Sequence, residues 1–153
     1  PTVQEPAPAP SVDMVDTTLL RTLVGYNTRR ASLSIIAVFM ERMAVYDLKV
    51  VDFSVLSLVA HNPGITSRQL CATLNVLPPN LVGLIAALER RGLIELRPHP
   101  SDGRAMGVHL TPAGAELTQQ AEQTAAQLEE DATARLTAAE RKTLIRLLQK
   151  VYD

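Results

Sequence analysis

The sequence predicts a mainly α-helical fold with one small β-hairpin, on three observations. Apolar residues recur every three or four positions through several separate stretches, the spacing of a helix with one buried face. Two capping boxes, Thr66 with Gln69 and Thr137 with Glu140, mark helix starts. One region, residues 93–111, alternates apolar and polar residues around turn chemistry. Composition agrees, because leucine, alanine and valine are plentiful and aromatics make up 3%; straight-chain residues and alanine lose little on entering a helix. A chain of 153 residues, 46% of them hydrophobic, suffices for one domain with a real core.

Taken in order, residues 1–16 open with "PTVQEPAPAPS", four prolines without periodicity, and are expected to be a disordered tail. Residues 17–153 are expected to form the single domain. From Thr17 to Leu48 the chain reads as one long helix, with Leu19, Leu23, Tyr26, Leu33, Ile36, Met40 and Met43 on its stripe. A shorter helix follows, with Phe53, Leu56, Val59 and Ala60 on one face and Asn62-Pro63-Gly64 as its stop. The Thr66 capping box then starts a helix that Asn75 can end in the left-handed conformation. Pro78 suits the first position of the next helix, whose stripe is Leu81, Leu84, Ile85 and Leu88 and whose end is Gly92. Two helices joined by so tight a turn form a helix-turn-helix. "LIELRPH" and "MGVHLT" make the hairpin around Pro100–Gly103. Thr111-Pro112 then caps a long helix to about Ala134, with a thin stripe of Leu117, Ala121, Leu128 and Ala132. Leu144, Ile145, Leu148 and Val151 line the closing helix.

Several function classes recede on these grounds. No apolar run approaches the roughly 20 residues of a bilayer span and no signal peptide is apparent, so a soluble, cytoplasmic protein without membrane association is expected. The single cysteine, Cys71, rules out an internal disulfide or a cysteine-rich zinc site. His61, His99 and His109 show no metal-ligand spacing, so neither a metal nor another cofactor is expected. No nucleophile, base and orienting group come together, which argues against an enzyme. The net charge of −1 hides an uneven distribution: residues 66–111 carry five arginines against three acids, and residues 112–153 carry seven acids against five bases.

The order of elements is that of a winged helix-turn-helix with helical extensions at both ends. With the run "LERRGLIELRPHPSDGRAMGVHLTPAG", the chain from Leu19 to Val151 resembles the MarR family of bacterial transcriptional regulators. That run matches the end of the family's recognition helix, its wing with an Asp-x-Arg tip, and its Leu-Thr-Pro-x-Gly helix start. The resemblance implies a winged helix DNA-binding part over residues 50–111 and dimerisation helices over 17–48 and 112–153. It implies a homodimer on double-stranded, pseudo-palindromic operator DNA, acting as a repressor released by a small-molecule effector of aromatic or phenolic acid type. The long first helix and the thin-striped penultimate helix support a dimer independently, since one chain cannot bury their apolar surface. The alternative is a winged-helix protein-interaction module without DNA binding.

Candidate DNA-facing residues follow. Thr66, Ser67, Arg68 and Gln69 open the first helix of the motif, where free N–H groups and a cation suit phosphate; Arg68 is equally readable as a solvated charge. On the second helix, Pro79, Gly83, Ala86 and Arg90 lie opposite the apolar stripe with Asn80, Val82 and Ala87 beside them. Asn80 has the donor and acceptor an adenine edge needs, and Val82 can meet a thymine methyl; the competing reading of Asn80 is a local helix cap. Gly83 costs about 1 kcal/mol relative to alanine in a helix interior, so close backbone approach to DNA or tight packing is expected there. Arg90 and Arg91 are expected to divide, one toward phosphate and one into a surface ion pair, and Arg97 joins the DNA-facing set. By the resemblance, Arg104 is the minor-groove arginine of the wing and Asp102 aims it through a bidentate pair. A solvated hairpin tip is the plainer alternative.

An effector site is expected where the long first helix meets the second, among Tyr26, Arg29, Arg30, Phe39, Met43 and Phe53. Arg29 and Arg30 would supply the cation that an aromatic carboxylate needs. Cys71, between Leu70 and Leu74, reads as packing in preference to a redox switch.

Overall fold

The computed structural model describes residues 14–153. Most of the expected Pro-rich tail, residues 1–13, lies outside them. The chain divides into an N-terminal unit ending at Ser34 and a larger unit from Ile35 to Asp153.

The expected single helix from Thr17 to Leu48 is interrupted. A short α1 (Thr18–Arg21) precedes α2 (Val24–Met43), and a 3₁₀ turn, Ala44–Tyr46, ends it. The first break comes from side chains that compete for backbone carbonyls. Thr22 Oγ1 donates to the Leu19 carbonyl at 2.7 Å, and Asn27 Nδ2 donates to the carbonyls of Arg21 and Leu23, both at 2.8 Å. At the other end, Asp47 takes the left-handed conformation (φ 51°), which a short polar side chain tolerates and a helix interior does not. In the N-terminal unit Leu19, Leu23, Val24 and Leu33 all remain exposed.

The larger unit is built around α3 (Val50–His61), which buries Val55, Leu56 and Val59. The short strand β1 (Ile65–Thr66) follows, then α4 (Ser67–Leu74), α5 (Pro78–Arg90), β2 (Ile94–Pro98) and β3 (Met106–Leu110). The sheet has three strands in the order β1-β3-β2, all antiparallel, where the sequence indicates a two-stranded hairpin. Ile65 pairs with Val108, and Ile94 with Leu110. Helix α6 (Pro112–Ala132) packs on α3, and α7 (Ala138–Tyr152) closes the chain.

The core collects an apolar face from α2 to α6 and from strands β2 and β3: Met43, Leu56, Leu70, Leu81, Leu88, Ile94, Val108 and Leu128 are all at most 2% exposed. Polar cross-links fasten α6 to its neighbours. Glu122 accepts from Ser57 Oγ at 2.8 Å and lies 2.9 Å from His61 Nε2, while Arg42 pairs with Asp131 at 2.9 Å. Both capping boxes form as the sequence indicates: Gln69 N donates to Thr66 Oγ1 and Glu140 N to Thr137 Oγ1. Among the described residues, no single helix is long and apolar enough to cross a membrane.

Candidate nucleic-acid interface

The turn between α4 and α5 is set by Asn75, left-handed at φ 52°, and by Pro78 at the first position of α5. The two helices are bent 117° apart, within the range of a helix-turn-helix. Leu81, Ile85 and Leu88 hold α5 in the core, which turns Asn80, Val82, Gly83 and Arg90 outward into solvent.

A groove of about 440 Å³ opens between the start of α4, the outward face of α5 and the hairpin from Leu96 to its tip. Ser67, Arg68, Val82 and Arg104 line it, four of the residues the sequence singles out. Leu96 and Met106 from the hairpin and Ala86 and Glu89 from α5 line it too. Of these four, Ala86 lies on the face of α5 that the sequence turns away from the apolar stripe, whereas Leu96, Met106 and Glu89 are not singled out by the sequence; Met106 and Leu96 share one face through strand alternation.

Other candidates have tasks of their own. Thr66 and Gln69 are spent on each other in the capping box, with the Thr66 N–H donating to Gln69 Oε1 at 3.0 Å. Arg97 pairs with Glu95 on the same strand. Pro79 and Asn80 are exposed, and the N-cap Leu77 receives no side-chain cap, so the Asn80 side chain is not the local cap of its helix. A Cβ on Gly83 would meet nothing within 4 Å, which removes tight packing within the chain as the reason for that glycine.

The wing tip differs from expectation. The Asp102 carboxylate accepts the backbone N–H of Arg104 at 3.1 Å, and the bidentate pair with the Arg104 guanidinium is absent among the described residues. An aspartate bonding two residues ahead is an Asx turn, which competes directly with the side-chain pair. The carbonyl of Asp102 also accepts from Ala105, and the His99 N–H donates to the Ala105 carbonyl, so the tip is a folded loop with Arg104 exposed on it.

Arg91 forms no ion pair among the described residues. Its Nη1 donates to the Asp47 carbonyl at 2.8 Å and its Nη2 to the Tyr46 carbonyl at 2.9 Å. Arg90 is exposed at the end of α5.

The expected effector residues divide between the two units. Phe39 and Met43 are core residues, 7% and 0% exposed, and Phe53 meets Phe39 edge to face at 5.8 Å. Phe39 and Met43 belong to the core cluster and Phe53 packs against it, so the apolar stripe of α2 is used in packing. Tyr26 is half-buried and Arg29 and Arg30 are exposed, all within the N-terminal unit. Cys71 is partly buried against the core. Among the described residues, no group of three or more His, Cys, Asp or Glu side chains is placed to hold a metal ion.

Helix, turn and recognition helix backed by a three-stranded sheet with a projecting hairpin define a winged helix-turn-helix protein. A MarR family model matches residues 46–105. A putative transcriptional regulatory protein for the hcr operon of Thauera aromatica is 35% identical over 100 residues, which are 65% of this chain and 60% of that protein. The HTH-type transcriptional repressor NicR of Pseudomonas putida is 31% identical over 131 residues, 85% of this chain and 82% of NicR. Among solved structures, the transcriptional repressor CouR bound to a 23-mer DNA duplex superposes with a TM-score of 0.85 at 32% identity, covering 91% of this chain and 99% of CouR. CouR bound to p-coumaroyl-CoA gives 0.80 at 30% identity over 90% and 96%. The chain belongs to the MarR family.

Proposed function

We propose that this protein is a homodimeric, DNA-binding transcriptional repressor whose release from operator DNA is controlled by a small aromatic-acid-like effector. The observation that carries the DNA-binding reading is the groove in which Arg68, from the start of α4, and Arg104, from the wing, flank the exposed Val82 of α5. Two cations at either side suit two stretches of phosphate backbone, and the small, nearly bare face of α5 lets the helix approach a groove closely. Overlap with CouR in its DNA-bound form supports the same placement.

Uncovered apolar surface supports the dimer. Helix α7 buries no residue at all, and Ile145, Leu147, Val151 and Tyr152 are each about half or more exposed. Monomeric soluble proteins seldom leave such a face open, and a second copy of the same face is its simplest cover. The effector reading rests on relatives, CouR with p-coumaroyl-CoA above all. Tyr26, Arg29 and Arg30 are retained as its candidate contacts, and Phe39, Met43 and Phe53 as the packed floor of the fold.

The test is nuclease protection on the DNA flanking the protein's own gene. Two protected half-sites about 10 base pairs apart, lost on adding aromatic acids or their thioesters, are expected. Absence of protection at any concentration would favour the protein-interaction module instead.

A further inference from the structure

We infer that Arg91 is a positioning residue that ties the recognition helix α5 to helix α6, and so sets how α5 is presented to DNA; this rests on the DNA-binding reading above. Arg91 closes α5 as its C-terminal cap, and its two terminal nitrogens hold two successive carbonyls, those of Tyr46 and Asp47, 45 and 44 residues away. One planar guanidinium on two carbonyls is a two-point contact, which fixes direction as well as distance. The carbonyls belong to the turn between α2 and α3, where the left-handed Asp47 ends the 3₁₀ segment.

That same turn is held from a second side. The Tyr46 hydroxyl lies 2.9 Å from Thr124 Oγ1 and 3.5 Å from the Gln120 carbonyl, both on α6. The backbone of Tyr46 therefore answers to α5 and its side chain to α6. A displacement of α6 at Gln120 and Thr124 reaches the end of α5 through Tyr46 and Arg91, without any change at the DNA-facing residues. A contiguous hydrogen-bonded path of this kind is a physical route for coupling, and it is open to test by substitution.

The experiment uses the full chain and its operator. Arg91→Ala is expected to lower affinity roughly 2- to 30-fold while leaving the slope of log affinity against log salt unchanged, because no phosphate contact is lost. Arg91→Lys should recover only part of the loss, since an ammonium cannot span both carbonyls as the guanidinium fork does. Tyr46→Phe, which removes only the hydroxyl, should weaken binding in the wild-type background and have no further effect in Arg91→Ala, the non-additivity of a single path. In the free protein, Tyr46→Phe should shift the backbone amide resonances of residues 78–90 only while Arg91 is present. A salt slope smaller by about one in Arg91→Ala would make Arg91 a phosphate contact, and additive effects of the two substitutions would make each a local stabiliser; either result overturns the inference. If the wild-type chain binds no DNA, the functional reading fails, and the amide shifts still decide the role of Arg91.

Discussion

The backbone of Gly114, at the start of α6, lies so close to Leu93 that a Cβ on the glycine would sit 1.9 Å from the Leu93 carbonyl oxygen. The approach is fixed from both sides. Thr111, the cap of α6, accepts from the Gly114 N–H at 3.0 Å, donates its hydroxyl to the Gly92 carbonyl at 2.6 Å and sends its own N–H to the Leu93 carbonyl at 3.1 Å. The Leu-Thr-Pro-x-Gly run is thus the joint where the hairpin meets the long helix, and only glycine fits its last position.

Gly114→Ala must push helix and strand apart, and is expected to destabilise the protein by about 3 kcal/mol. Gly83→Ala makes the instructive comparison. With open space around it and a helical backbone, it should add about 1 kcal/mol of stability while weakening operator binding, because the added methyl keeps α5 from the groove floor. Urea unfolding and anisotropy titrations of both variants check this; a Gly83→Ala protein that binds DNA as tightly as wild type would show that the glycine does not serve close approach.

The wing tip leads to a second expectation. Since Asp102 shapes the turn through the Arg104 N–H and does not hold the guanidinium, Asp102→Asn, which still accepts that bond, should retain DNA affinity. Asp102→Ala should lose several-fold by freeing the tip. Equal losses for both substitutions would show instead that the carboxylate charge is what matters.

Acid should loosen the start of α7. The Glu140 carboxyl is held below its ordinary range by the backbone N–H of Thr137 and then by the Thr137 side chain. A lowered folded-state pKa means that its stabilisation is present above the unfolded value and is lost as pH falls through the folded one. Amide exchange in residues 138–152 should therefore rise below about pH 4. Glu140→Gln keeps the capping geometry and should remove that part of the pH dependence.

Much of this architecture is legible in the sequence because its signals are local. Thr66 with Gln69, Thr137 with Glu140, Asn75 and Pro78 each act within one turn of helix, and each is found doing what its type dictates. The misses are of another kind. Strand β1 has two residues, too few for alternation, and exists because Ile65 and Thr66 pair with Val108 and Gly107 more than 40 positions later. The break at Thr22 depends on which carbonyls the Thr22 and Asn27 side chains happen to reach, and hydrophobic periodicity is blind to that. Arg91 looks like any arginine at a helix end until its distant carbonyl partners are seen. Phe39, Met43 and Phe53 show the opposite ambiguity, since an apolar stripe serves core and cavity alike and only packing places these three in or against the core. The Asx turn at Asp102 could have been read, because an aspartate two positions before an exposed residue in a Gly-containing tip favours that bond.

Dimerisation through α7 is expected to double the mass of 16.6 kDa in light scattering. Ile145→Glu and Leu148→Glu, placed on the exposed apolar face, should yield monomers of unchanged helicity that bind DNA far more weakly. Dimers of undiminished stability would show that α7 is not the interface.

The groove between α4, α5 and the hairpin is most directly tested by titrating operator DNA with wild-type protein, Arg68→Ala and Arg104→Ala across a series of salt concentrations. If the groove holds DNA, wild-type affinity falls steeply and linearly in log–log form, each alanine variant binds more weakly, and each slope is shallower by about one released counterion. Arg104→Ala should lose most on sites whose flanks have a narrow A·T minor groove. Affinity and slope identical in all three proteins would contradict the account, because neither arginine would then be touching the phosphate backbone.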